Sequence, residues 1–171
     1  MIRIAATAVL AIAFAAPALA APAASPKIGI ASFAQLKTPL PYPYDEAADA
    51  DAAVAKAKAR ARASHKLLLI DLGGNWCGDC RILSATMSLP HLKSFLERHY
   101  ETVLVDAGHF DKNLQIQTRY GITDRLEGVP ALLVVDPKTD KLLDAGHIAA
   151  LADARNMTPQ ALADWLAQWT R

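Results

Sequence analysis

A chain of 171 residues is long enough for one domain with a real core, and its 18 basic and 17 acidic side chains leave a net charge of only +1. That balance lacks the clustered positive surplus that phosphate backbones require, so nucleic acid is excluded as the expected partner. There are two cysteines, Cys77 and Cys80. A disulfide-stapled scaffold is thereby excluded as well, and the two sulfurs form a redox pair or nothing.

Residues 1–20 carry a positive start at Arg3, an apolar run from Ile4 to Ala16, and the small-x-small pattern Ala18-Leu19-Ala20. This is the pattern of a signal peptide cleaved before Ala21. The run is too short to span a bilayer comfortably. An uncleaved anchor is the alternative, and no cysteine follows the run to accept a lipid. Cleavage removes Arg3 and leaves 17 charges of each sign. Residues 21–44 read as a flexible, extended leader. It is Ala-rich to about Lys37; prolines at 39, 41 and 43 then favour an extended path over the surface, anchored by Tyr42 and Tyr44.

A domain over residues 45–171 follows. Asp45 to Ser64 predicts a helix without Gly or Pro, packing shallowly through alanines around Val54. Its acids come first and its bases (Lys56, Lys58, Arg60, Arg62) last, which complements the helix dipole and reads as a solvated face. Lys66 to Leu72 is an apolar run of the kind buried on both faces of a sheet. A helix runs from the cysteine motif to Ser88, and a second starts with Ser88 as cap and Pro90 in its first turn. Thr102 to Asp106 is a strand, Ala107 to Lys112 a loop, and Asn113 to Tyr120 a short helix stopped by Gly121. Ala131 to Val135 is a third strand, and Lys141 to Ala145 returns antiparallel after a turn. Thr158 caps a last helix whose Leu162, Trp165, Leu166 and Trp169 form one stripe facing the sheet.

The stretch Trp76-Cys77-Gly78-Asp79-Cys80 lies between strand and helix, which places both sulfurs at a helix N-terminus. Free N–H groups and the dipole there stabilise a thiolate. Asp71, near the end of the strand, is a carboxyl in apolar surroundings; burial raises its pKa and suits it to proton transfer. Pro130 opens a strand, where its missing N–H is tolerated.

This C-x-x-C at a strand–helix junction, with Asp71 six residues before Cys77 and Gly128-Val129-Pro130 before the third strand, resembles the thioredoxin superfamily. The resemblance covers roughly Leu67 to Trp169. It implies an α/β three-layer sandwich with a central mixed sheet of about four strands flanked by helices. It also implies thiol–disulfide exchange without a cofactor or a bound metal. Cys77 is the expected attacking thiol, Cys80 the resolving thiol and Asp71 the proton acceptor. Trp76, Gly78, Asp79, Val129 and Pro130 are expected to frame the substrate, with Pro130 in cis.

Asp79 stands where reducing thioredoxins have proline and strongly oxidising relatives histidine. Its charge opposes ionisation of Cys77 while Arg81 favours it, each by about 1 kcal/mol or less at exposed sites. The lean is toward a reductase. The helix break at Ser88-Leu89-Pro90 falls later than in cytosolic thioredoxin, and with the strand after it resembles periplasmic domains that receive electrons from a membrane carrier. Extra residues at 107–112 and 123–127 flank the expected active edge, where they are placed to select partners. A periplasmic monomer is expected, with protein disulfide or dithiol substrates and a redox partner protein, membrane-bound or soluble. Two alternatives stay open: a Cu(I)-binding metallochaperone-like module using the thiolates with a histidine such as His109, and a redox-inactive binding module on the same fold.

Overall fold

The structure is a computed structural model and describes residues 21–170; the expected signal segment 1–20 lies outside the described residues. In chain order the regular elements are α1 (Ala50–Ser64), β1 (Leu67–Gly73), α2 (Gly78–Met87), α3 (Pro90–His99), β2 (Tyr100–Asp106), α4 (Leu114–Thr118), β3 (Ala131–Asp136), β4 (Lys141–Leu142) and α5 (Pro159–Ala167).

β1 is the strand on which the rest is laid. It pairs in parallel with β2, from Leu67 opposite Tyr100 to Gly73 opposite Asp106, and antiparallel with β3 on its other side. β4 closes the order β2-β1-β3-β4. Successive side chains of a strand point to opposite faces, and the apolar runs fill both. Leu68, Ile70 and Leu72 join Val103, Leu133 and Val135 under α1, whose Val54, Ala57 and Ala61 are buried. Leu69, Leu132 and Val134 face the other way, onto Leu92 and Phe95 of α3 and Leu162 and Leu166 of α5. Each such fully buried aliphatic contributes about 1.5–3 kcal/mol. Two filled faces make the sheet the middle of three layers.

Several boundaries differ from the sequence expectation, each for a local reason. α1 starts at Ala50 rather than Asp45 because Asp49 takes the cap, its carboxylate accepting from the Ala52 amide at 3.0 Å. Ser88 does not cap α3. Its hydroxyl donates back to the Ser84 carbonyl at 2.9 Å within α2, and Leu89 holds the cap position. β4 is two residues long, not five, because Asp144 turns its carboxylate onto the Val134 amide at 2.9 Å and leaves the ladder. Trp165 and Trp169 are half-buried and meet edge-on at 5.7 Å, at the rim of the stripe whose centre is Leu162 and Leu166.

The leader is extended but held. The Ala23 amide donates to Thr170 Oγ1 at 3.1 Å and the Ile28 amide to Gln160 Oε1 at 3.1 Å, so its first part lies along α5. Ser32 and Gln35 form a capping box around a 3-10 turn, and Leu36 is buried. Arg81 donates to the Leu40 and Pro41 carbonyls at 2.7 and 2.9 Å. Of the two expected anchors only Tyr44 is buried; Tyr42 is 68% exposed and lies under the Arg81 guanidinium. Residues 21–44 form a strap across the domain, not a mobile tail.

Candidate active site

Cys77 occupies the cap position of α2 in extended backbone, and its Sγ accepts from the Cys80 amide at 3.1 Å. The two cysteines are joined as a disulfide, with Cα atoms 5.3 Å apart. Cys77 retains 5% of its surface while Cys80 is wholly buried, so Cys77 is the more accessible of the two residues. Val129 and Pro130 are joined by a cis peptide. The Val129 carbonyl oxygen lies 3.3 Å from Cys77 Sγ, placed to accept from the thiol of the reduced pair.

Trp76 is 48% exposed and committed to the 107–112 loop: its indole N–H donates to the Gly108 carbonyl at 2.7 Å, and its ring stacks on His109 at 4.7 Å. Phe110 packs against the same indole, and Arg125 covers Phe110 from the 123–127 loop. The two extra loops therefore meet beside the motif. A groove of about 500 Å³ continues from there between residues 121–127 and 146–150.

Asp71 is fully buried on β1, two residues before Gly73, whose missing Cβ leaves room for Cys80 Sγ. The Tyr44 hydroxyl donates to its Oδ1 at 2.9 Å, and its Oδ2 has no partner. Burial pushes the carboxyl up to about 7, with the Tyr44 hydrogen bond working in the other direction. Burial, and then the nearby Asp71, push the Tyr44 phenol far above its ordinary range, so it remains a donor. Sequence reading placed Tyr44 only as a surface anchor.

Asp79 is treated differently. Burial acts to raise its carboxyl, but Arg155 outweighs that and holds it below the usual range. The Arg155 amide donates to Oδ1 at 2.8 Å, while the guanidinium spans both oxygens through Nε, at 3.0 Å to each, and through Nη2 at 2.6 Å to Oδ2. A Cβ on Gly78 would come to 3.2 Å from that guanidinium, a tight approach that the arginine would have to yield to. Nothing in the sequence around Asp79 announces Arg155, since it comes from a 3-10 turn, Ala154–Asn156, 76 positions away. Arg81, expected to offset Asp79, is turned to the strap instead. Among the described residues no group of three or more His, Cys, Asp or Glu side chains is placed to hold a metal ion.

A mixed sheet with this strand order, a cysteine pair opening the helix after its central strand and a cis proline facing that pair define the thioredoxin-like class. The comparisons agree. A family model described as thioredoxin-like matches residues 49–137. The crystal structure of a disulphide isomerase from Xylella fastidiosa Temecula1 is 39% identical, with 75% of this chain and 96% of that one covered and a TM-score of 0.66. This chain belongs to the thioredoxin-like family. A protein of unknown function from Pseudomonas aeruginosa is also similar, at 21% identity and a TM-score of 0.36 over 68% of this chain and 81% of that one, too distant to bear on the chemistry.

Proposed function

We propose that this chain is a periplasmic thiol–disulfide oxidoreductase that reduces disulfides in protein substrates, exported through its N-terminal segment. The observation that carries the chemistry is Cys77 Sγ at the mouth of α2, bonded by a helix amide and faced by the Val129 carbonyl. In the reduced enzyme the Cys77 thiolate attacks one sulfur of a substrate disulfide, and the other substrate sulfur leaves as a thiolate. Cys80 then gives its proton to Asp71 and attacks Cys77, restoring the observed disulfide and releasing the second substrate sulfur. Two electrons pass to the substrate, and a redox partner protein returns them. The electrons reside on the two sulfurs throughout, so no cofactor is invoked.

The reductase direction is supported by the modest stabilisation offered to the Cys77 thiolate. Its Sγ accepts from one amide, and the two arginines beside the motif are spent elsewhere, Arg155 on Asp79 and Arg81 on the strap's carbonyls. An oxidant needs its reduced form strongly stabilised. Isomerisation begins with the same attack by Cys77, and the 39% identical neighbour favours it as the second reading.

The test is trapping. Incubated with a protein disulfide, Cys80→Ala accumulates a covalent adduct through Cys77, Cys77→Ser accumulates none, and the wild-type chain turns over. A wild-type chain that neither reduces nor rearranges protein disulfides overturns the reading.

A further inference from the structure

The strap ends at the buried acid, and three separate features build that junction. The Tyr44 hydroxyl donates to Asp71 Oδ1 at 2.9 Å. Asn75, two residues before Cys77, accepts the Tyr44 amide on its side-chain oxygen at 3.1 Å and returns its own amide to the Tyr44 carbonyl at 2.9 Å. The loop that carries the cysteine motif thus grips the strap's main chain in both directions. Gly73 supplies the third feature. A Cβ there would overlap the Tyr44 hydroxyl and stand 2.9 Å from Cys80 Sγ, so one missing methyl opens the space where the resolving sulfur meets the hydroxyl that donates to Asp71. A tyrosine serving only as an anchor needs its ring buried; it does not need its hydroxyl aimed at a half-paired carboxyl. Tyr44 also precedes residues 49–137, the stretch matched by the family model.

We propose that Tyr44 is a positioning residue for Asp71: its hydroxyl aims the carboxyl toward Cys80 and favours the ionised form that takes the Cys80 proton. The proposal rests on the exchange reading above. In the resolving step the Cys80 S–H bond breaks and its proton passes to Asp71. The new Cys80–Cys77 bond forms as the Cys77–substrate bond breaks, and the departing substrate thiolate takes a proton from water. A carboxylate with no donor would be costly in this pocket. Removing the hydroxyl therefore keeps Asp71 protonated to higher pH.

The other ionisable groups facing this centre are few. Cys80 comes from α2, and Asp106 at the end of β2 lies near enough to the Tyr44 phenol to oppose its ionisation. The cavity that Asp71 shares with α3 and β2 is lined by Lys66, Glu101, Lys93 and Glu97, which pair as Lys66–Glu101 and Lys93–Glu97. No lone cation stands among these groups to replace the hydroxyl.

The experiment follows formation and then resolution of the Cys77 mixed disulfide with a protein disulfide across pH. In Tyr44→Phe the acidic limb of resolution moves up by about one pH unit, the size expected for a lost hydrogen bond to a charged group, while adduct formation is unchanged. In Asp71→Asn the limb disappears, and adding Tyr44→Phe changes nothing further. Asn75→Ala, which keeps the hydroxyl but frees the strap's main chain, moves the limb the same way by less. A Tyr44→Phe profile that overlays wild type, or an equal loss from Tyr44→Phe with and without Asp71, makes Tyr44 a packing residue and overturns this proposal alone. A wild-type chain that forms no mixed disulfide overturns the exchange reading and this proposal with it.

Discussion

Asp71 and Asp79 are both nearly sealed from solvent, and both lie within a few residues of the disulfide, yet the fold handles them in opposite ways. Asp79 receives a guanidinium across both oxygens and a backbone amide. Asp71 receives one hydroxyl, and its second oxygen is left unpaired. On the proposed exchange chemistry, the contrast separates a charge that is silenced from one that remains transferable. A carboxylate locked by arginine has no proton to exchange at neutral pH, whereas one pushed up to about 7 takes and returns a proton with little bias.

The largest effect should come from removing the transferable carboxyl. Asp71→Asn is expected to slow turnover at pH 7 by about 100-fold, the low end for a lost general base, measured as steady-state reduction of a protein disulfide. The same substitution should raise stability at alkaline pH and lower it in acid. A native pKa of about 7 exceeds the unfolded value near 3.8, so the native state binds the extra proton between those limits. Stability contributed by protonated Asp71 is therefore complete below pH 4 and lost as pH rises toward 7. With about 2 kcal/mol set against it at every pH for the unpaired amide that replaces it, Asp71→Asn should gain about 2 kcal/mol at pH 8 and lose about 1.5 kcal/mol at pH 4 in urea unfolding. A slope between pH 4 and 6 should survive in the variant, because burial also pushes Asp144 up to about 6.

The silenced charge gives a smaller effect. Arg155→Ala leaves the Asp79 carboxylate, two residues from Cys77, without its partner, which disfavours the thiolate. Arg155 is more than half exposed, so solvent screening limits the change. The Cys77 pKa, read from thiolate absorbance, should rise by about half a unit, and the potential against glutathione should fall by about 20 mV. Adding Asp79→Asn should restore both. If Arg155→Ala leaves both unchanged, the pair is a tether for the 154–156 turn and nothing more. The smallest effect belongs to Arg81→Gln. Its side chain is spent on the strap's carbonyls, so the Cys77 pKa should move by less than about 0.2 unit and stability by less than about 1 kcal/mol. A larger pKa change would return Arg81 to the role first expected of it.

The parts of this molecule that sequence reading found are those fixed by local pattern. β1 and β3 are legible because strands buried on both faces are apolar without interruption. The cysteine pair is legible because spacing and a strand–helix junction coincide. The cis bond at Pro130 was reachable only through family resemblance, since the dipeptide does not imply it. What stayed hidden are pairings between distant segments. Nothing around Arg155 marks it as the partner of Asp79, and nothing around Tyr44 marks it as the donor to Asp71. The strap looked mobile because its alanines carry no periodicity; its order comes from single hydrogen bonds to α5 and the motif loop, which no window of sequence contains.

The strap also bears on how portable this fold is. Trimming the protein to residues 49–137, the limits drawn by the family model, would discard Tyr44 and all of α5 together. Asp71 would lose its one donor, and Leu69, Leu132 and Val134 would lose much of their cover. A graft of the shared module alone would carry the two sulfurs without the surroundings that make them useful.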